Sequence, residues 1–297
     1  HRQRRPSGLR GSPQGSESKA GGFALSESFK KTRLPLAMGN TFDAGVSSMG
    51  QDKRYQIKTF LINIEGYTDR LKNANNHMRR ANIPFKRIKA VTPESMRHIN
   101  IAIKNDVYFA SMAQPANLIS HLKTLHNFIT RTEHSDEIAL ILEDDAVPAP
   151  SLTFKRLINI LDTAPNNFEI LQLGTSHLQS AERLIQHKQK SDLAWHSWHH
   201  PFWGSHAYLI TKEAAEKVVR TLFHNTELDL KSVYCPDLCV TDHLLYLICK
   251  TYTSTYPWFG QLGLESSIRY ATTKEEIEMM KKRNQFLHEC WSNTAST

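Results

Sequence analysis

Three consecutive carboxylates, Glu143-Asp144-Asp145, follow five apolar residues, Ile138-Ala139-Leu140-Ile141-Leu142. An unbroken apolar run reads as a strand covered on both faces, which has no need to alternate polar and apolar positions. Pro148 and Pro150 then turn the chain out of the sheet where the charge appears. In an open α/β sheet, ligands bind outside the carboxyl ends of the strands. Adjacent carboxylates repel and are costly to desolvate, so something cationic should balance them. Hard oxygen ligands suit Mg²⁺ or Mn²⁺, and a divalent metal holding a diphosphate fits these residues. The plain alternative is an acidic turn after a strand.

The elements that would position this turn can be read on either side of it. Residues 57–64 form a first strand ended by Gly66, 68–81 a helix, and 84–91 a second strand. This β-α-β alternation predicts a parallel sheet with a right-handed crossover. The strand tips, Asn63/Ile64 and Val91/Thr92, should then share an edge with Asp144. Residues 93–114 read as a surface excursion, and 115–131 as a helix buried through Leu118, Ile119, Leu122, Leu125, Phe128 and Ile129. His121, after Ser120, borders that inward face, where a hydrogen-bonded packing residue is the ordinary role.

Beyond the acids, Ser151 is placed to cap a helix carrying Leu152, Leu157, Ile158 and Leu161. Residues 168–173 read as a strand stopped by Gly174. Residues 175–205 read as irregular, with Trp195, His196, Trp198, His199, His200 and Trp203 running on to His206. Such clustered histidines could ligate a metal, but aromatic faces with polar tips also line carbohydrate pockets, and an acceptor-side loop is preferred to a zinc site. A short strand at 207–210 leads to Thr211, which can cap the next helix. Thr241-Asp242-His243 opens another, where Asp242 complements the helix dipole. A late strand at 252–258, a loop at 259–269 and a charged helix at 273–289 close the chain.

Composition bounds the classes available. With 297 residues, 40% of them hydrophobic, the chain can build one large α/β domain or two small ones. The central apolar run is far short of the roughly 20 residues needed to cross a bilayer. Residues 1–54 hold ten Lys/Arg and four acids, whereas the remaining 243 hold 27 basic and 25 acidic groups. The net charge of +8 therefore belongs mainly to a low-complexity tail, which reads as disordered and could touch anionic lipid at a membrane surface. The near-neutral body shows no basic stripe, which argues against nucleic acid as partner. Cys235, Cys239, Cys249 and Cys290 include no C-x-x-C pair and read as a reduced set, with a disulfide open in an oxidising compartment. The chain begins at His1 and has no N-x-S/T sequon, so cytoplasm and ER/Golgi lumen both stay open as compartments. The expected organisation is a tail over 1–54 and one domain over 55–297.

The motifs fall in a recognisable order. Phe60-Leu61-Ile62-Asn63-Ile64 precedes Asp69-Arg70, then Ala90-Val91-Thr92, Ser120-His121-Leu122, Leu142-Glu143-Asp144-Asp145 and Leu173-Gly174. Trp203-Gly204-Ser205-His206-Ala207-Tyr208-Leu209-Ile210 and Thr241-Asp242-His243-Leu244-Leu245 complete the set. This order resembles glycosyltransferase family 25, which contains bacterial lipooligosaccharide and animal procollagen galactosyltransferases, over roughly residues 57–270. One departure is Val91-Thr92-Pro93, where members often have Asp-Gly.

The resemblance implies a GT-A-type, Rossmann-like α/β fold with a mostly parallel central sheet flanked by helices. It also implies a UDP-sugar donor, usually UDP-galactose or UDP-glucose, and inversion at the anomeric carbon. The acceptor would be a glycan or a hydroxylated protein. Asp144 and Asp145 match the family's carboxylate cluster for Mn²⁺ or Mg²⁺, with His243 or His206 helping to complete the metal or diphosphate site. Asn63, Ile64, Arg70, Thr92, Ser120, His121, Glu143 and Asp144 form the candidate donor-binding set. An acceptor hydroxyl must lose a proton opposite the diphosphate, and Asp242 is the first candidate for that base.

Rival classes are weaker. A P-loop NTPase needs G-x-x-x-x-G-K-[ST], and no Gly-Lys pair occurs in the chain. A non-catalytic relative that keeps the fold for binding would have no need of the acidic triplet. A nucleic-acid-binding protein would have to act through residues 1–54.

Overall fold

The structure, a computed structural model, describes residues 55–97, 102–104, 111–132, 134, 136–199, 201–224, 227–230, 240–261 and 274–294. The tail expected over 1–54 lies outside the described residues, as do His200, Cys235, Cys239 and the loop residues 262–269. The described residues all fall within one compact unit, Pro35–Thr297.

The chain runs β1 (Gln56–Asn63), α1 (Thr68–Arg80), β2 (Lys86–Lys89), a single turn α2 (Pro93–Met96), β3 (Ala102–Lys104), α3 (Ala113–Ile129) and β4 (Glu137–Glu143). It continues through β5 (Ala146–Pro148), α4 (Phe154–Asp162), β6 (Ile170–Gln172), α5 (Leu178–Ser191), β7 (Trp195–Ser197), β8 (Ala207–Thr211) and α6 (Lys212–Leu222). The short β9 (Phe223–His224) and β10 (Glu227–Asp229) precede α7 (Thr241–Ile248), β11 (Thr251–Ser254), β12 (Phe259–Gln261) and α8 (Lys274–Thr294).

Among the described residues, seven strands form the central sheet in the order β2-β1-β4-β8-β6-β11-β7. Five share one direction, and only β8 and β7 run against it. The sheet is thus mostly parallel, as expected. Its registers place Ile62 beside Glu143 and Asn63 beside Lys89, so the tips of β1, β2 and β4 do share an edge.

The apolar run of β4 is buried on both sides, with Ala139, Leu140, Ile141 and Leu142 fully inaccessible. Ala139 and Ile141 face a core built with Leu118, Leu125 and Phe128 of α3 and Val218 of α6. Ile138, Leu140 and Leu142 face the opposite core, with Met78 of α1, Leu157 of α4 and Trp291 of α8. Each such Leu or Ile side chain contributes about 1.5–3 kcal/mol by leaving water, which fixes the height at which β4 delivers its acids.

Several expectations are corrected. Residues 175–205 are not wholly irregular: α5 occupies 178–191 and β7 195–197. The apolar stripe of α5 is narrow, with only Ala181 and Leu184 buried as apolar residues in a largely polar sequence, so its helical period is faint. The cap of α4 is Thr153, whose hydroxyl accepts from the Arg156 N–H at 3.2 Å, and not Ser151. A turn closed by Leu152 N–H on the Ala149 carbonyl delays the helix to Phe154. The late strand stops at Ser254, where Pro257 and a turn divide it from β12. By contrast, Thr211 caps α6 as expected, accepting from Ala214 N–H.

Candidate active site

The acids of β4 emerge at the shared strand edge with three different settings. The Glu143 backbone N–H is tied to the His206 carbonyl of β8's approach, at 2.9 Å. Its carboxylate accepts from Ser205 Oγ at 2.7 Å and from His121 Nε2 at 3.3 Å. Burial pushes this carboxyl up, but the bonds from His121 and Ser205 overcome it and hold it at about 2. Glu143 is therefore a fixed anion in a hydrogen-bonded cage.

Asp144 and Asp145 share one cation. Arg70, in the first turns of α1, forms ion pairs with Asp144 and, at 3.0 Å, with Asp145. Asn63 Nδ2 adds a bond to Asp144 at 2.7 Å, and Gln261 Nε2 one to Asp145 at 2.9 Å. Burial, reinforced by the Glu143 charge, still outweighs these and pushes Asp145 up to about 6. Asp144 is raised too, chiefly by burial. Among the described residues, Asp145 Oδ1 and Asn63 Oδ1 are buried without a hydrogen-bond partner. Each is a hard oxygen of the kind that Mn²⁺ or Mg²⁺ takes as a ligand.

Seven of the eight expected donor-side residues line one cleft at this edge: Asn63, Ile64, Arg70, Thr92, Ser120, Glu143 and Asp144. Within it, Ser120 and Thr92 are engaged internally. Ser120 Oγ accepts from Val91 N–H at 2.8 Å and bonds back to Ala116, bolting α3 to the end of β2. Thr92 forms a capping box with Ser95 at the start of α2. The eighth, His121, is fully buried, stacked on Tyr208 with Nδ1 3.0 Å from its hydroxyl. It is the packing histidine the sequence suggested, and it also orients Glu143.

Asp242 is buried in the first turn of α7, where the neighbouring Thr241 bonds Asn117 of the cleft. Its Oδ2 accepts from Gly204 N–H at 2.7 Å and its Oδ1 from His243 N–H at 3.2 Å. Burial raises its pKa, the backbone bonds oppose this, and the Glu143 charge adds to it. Tyr246 and Gln172 hold the Gly204 carbonyl from the other side, at 2.8 and 2.9 Å. Gly204 has φ +131°, a conformation that L side chains rarely adopt, which explains a glycine at this clamp.

His243 is stacked on Trp203 at 3.9 Å between ring centroids. The expected trio of Asp144, Asp145 and His243 does not gather: among the described residues no three His, Cys, Asp or Glu side chains converge as a metal group. That holds for His196 and His199 as well, which pack against Phe202. His206 is almost wholly buried between Gly174 and Gly204, and burial lowers it to about 4, so its ring is neutral. Ser205, Gln261 and Arg283 were missed. Ser205 lies inside a motif already singled out, whereas Gln261 and Arg283 reach the site from segments with no motif. Arg283 of α8 donates to the carbonyls of Ser176, at 3.0 Å, and Gln261.

Residues 56–230 match the model of glycosyltransferase family 25 (LPS biosynthesis protein), and the chain belongs to that family. No curated protein sequence matches the chain. Among solved structures it is similar to the apo structure of the bifunctional glycosyltransferase WbbM, with 11% identity and a TM-score of 0.32. That similarity covers 80% of this chain and 53% of the other, so the chain spans about half the length of that structure.

Proposed function

We propose that the chain is an inverting, GT-A-type glycosyltransferase that moves a hexose, galactose or glucose, from a UDP-sugar to a hydroxyl of a glycan or hydroxylated protein. The observation that carries this reading is the pair Asp144 and Asp145 at the carboxyl edge of the sheet, beside the unpartnered Asp145 Oδ1 and Asn63 Oδ1. Together with Asn63 they would hold Mn²⁺ or Mg²⁺, which neutralises charge building on a leaving diphosphate. The protein offers only part of a coordination sphere, as is usual where substrate phosphates supply the rest.

The chain's own groups then divide the work. The cleft from Asn63 to Asn117 receives the donor, and Arg70 brings a guanidinium suited to a phosphate oxygen. Glu143 stays ionised and holds Ser205 and His121 in place. Asp242 takes the proton of the acceptor hydroxyl. A carboxylate has about four lone-pair positions, so its two backbone bonds leave room for a proton, and a raised pKa makes it a better base.

The Arg70 contact favours one second reading. There the guanidinium and the two aspartates form a closed ion-pair cluster, and the chain keeps the fold for binding without transfer. A panel of UDP-sugars incubated with Mn²⁺ and mixed glycan acceptors separates the two. Acceptor-stimulated, EDTA-sensitive UDP release supports transfer, whereas donor binding without UDP release supports the second reading.

A further inference from the structure

A second cleft, of about 510 Å³, opens between α4, the last turn of α5 and the segment 254–258. Its volume lies within the range of small-molecule sites. Its walls combine two kinds of side chain. Trp258 and Tyr256 meet edge to face at 4.4 Å between centroids, and Trp195 closes the base with its N–H on Thr163 Oγ1 at 3.0 Å. Over these rings stand cations: the Arg156 guanidinium 5.3 Å from the Trp258 centroid and the Lys188 ammonium 5.6 Å from that of Tyr256. Lys155 adds a third positive charge, and among the described residues no carboxylate lines the cleft. Among the described residues none of the three cations has a salt-bridge partner.

We propose that this cleft binds an anionic carbohydrate, its ring on the aromatic wall and its carboxylate or phosphate on Arg156, Lys188 and Lys155. A neutral sugar would use only the rings and would gain nothing from the three cations. A charged sugar satisfies both, because charge-assisted bonds to guanidinium and ammonium groups are about twice as strong as neutral ones. The position ties the cleft to the acids. The Trp258 carbonyl accepts from Ala149 N–H at 2.8 Å, β12 pairs with β5, and Gln261 at the far end of β12 bonds Asp145. Two strand residues, Phe259 and Gly260, separate Trp258 from Gln261, roughly 10 Å of chain. β12 thus links the wall of this cleft to the acidic turn, and if the bound glycan is the acceptor, its class is an acidic glycan. That role rests on the proposed transfer, but the binding does not.

The test is calorimetric titration of the full chain with trigalacturonate, mannose 6-phosphate and uncharged maltotriose. The two charged probes distinguish carboxylate from phosphate. Binding of either, with maltotriose at least roughly tenfold weaker, is expected, since bonds to charged groups are the strong ones. Arg156→Ala/Lys188→Ala should weaken the charged probe by roughly tenfold or more at an unchanged melting temperature, and Arg156→Lys should restore part of it. Equal binding of maltotriose, charged-probe binding indifferent to the double substitution, or tighter binding of an oligouridylate at the same residues would overturn the site. A wild-type chain that binds the charged sugars but releases no UDP from any donor supports the site and overturns only the proposed transfer.

Discussion

The Arg70 guanidinium lies 3.0 Å from the Asp145 carboxylate, and the same group pairs with Asp144. One cation from the first turns of α1 thus meets both acids at the end of β4. Removing it leaves two buried carboxylates facing each other. Since Arg70 is about a quarter exposed, the expected cost of Arg70→Ala is about 1–3 kcal/mol, below the 3–5 typical of a fully buried pair. If the acids also hold a metal, Mn²⁺ should raise the melting temperature of Arg70→Ala by more than that of the wild type. Thermal melts of both proteins with Mn²⁺ and with EDTA check this, and an equal, zero response would remove the metal from the account.

Asp242→Asn separates a base from a brace. As the base, its loss should lower turnover by roughly a hundredfold or more while donor affinity and melting temperature barely move. As a brace for Gly204, the variant should lose about 1.5–3 kcal/mol of stability and keep much of its turnover. Steady-state kinetics beside a denaturant titration tells them apart. Near-normal turnover would move the base to His206 or His243.

His206 gives a pH signature. Its ring is held neutral in the fold, at about 4, against about 6.5 when unfolded. The unfolded chain therefore takes up the proton first, so this group's contribution is complete above pH 6.5 and is lost as pH falls toward 4. The loss amounts to up to about 3 kcal/mol. His206→Gln lacks this term, so the stability gap between wild type and variant should narrow from pH 7 to pH 5. A gap independent of pH would show that the ring is not buried neutral.

Gly174 is expected to tolerate no side chain. A Cβ there would sit 2.0 Å from the Phe259 carbonyl oxygen, which is backbone and cannot turn aside. Gly174→Ala should cost about 2–4 kcal/mol and lower transfer through β12 and Gln261. An unchanged melting temperature would contradict the close approach of β6 and β12.

The sheet edge was legible because it depends on local signals. The five-residue run of β4, Gly66 after β1 and the alternation of strand and helix each report burial or a turn within a few residues. That most of the residues expected on the donor side line one cleft follows the same logic, since parallel strands bring their tips together. What was not legible depends on partners far along the chain. Nothing near Gln261 marks it as a partner of Asp145, 116 residues away. Nothing in the charged sequence of α8 marks Arg283 as the residue that fixes the Gln261 carbonyl. Asp242 shows the opposite case. Its position at a helix start was visible, but the Gly204 loop it holds belongs to tertiary structure alone.

The tail invites a simple check. A chain beginning at Arg54 should keep its melting temperature and its UDP release, because residues 1–54 carry no hydrophobic period and most of the excess charge. A large loss of either would show that the tail supports the domain.

The central claim is that Asp144 and Asp145 hold the donor's metal, and Asp145→Asn tests it most directly. The substitution removes one carboxylate oxygen and keeps the size of the side chain, so Gln261 and Arg70 retain an acceptor. UDP release from UDP-galactose and UDP-glucose is measured with Mn²⁺ and acceptor, for wild type and variant, with and without EDTA. The expected result is Mn²⁺-dependent release by the wild type, abolished by EDTA, and none by a variant that melts within a few degrees of it. Wild-type release by Asp145→Asn, or full activity in excess EDTA, would contradict it.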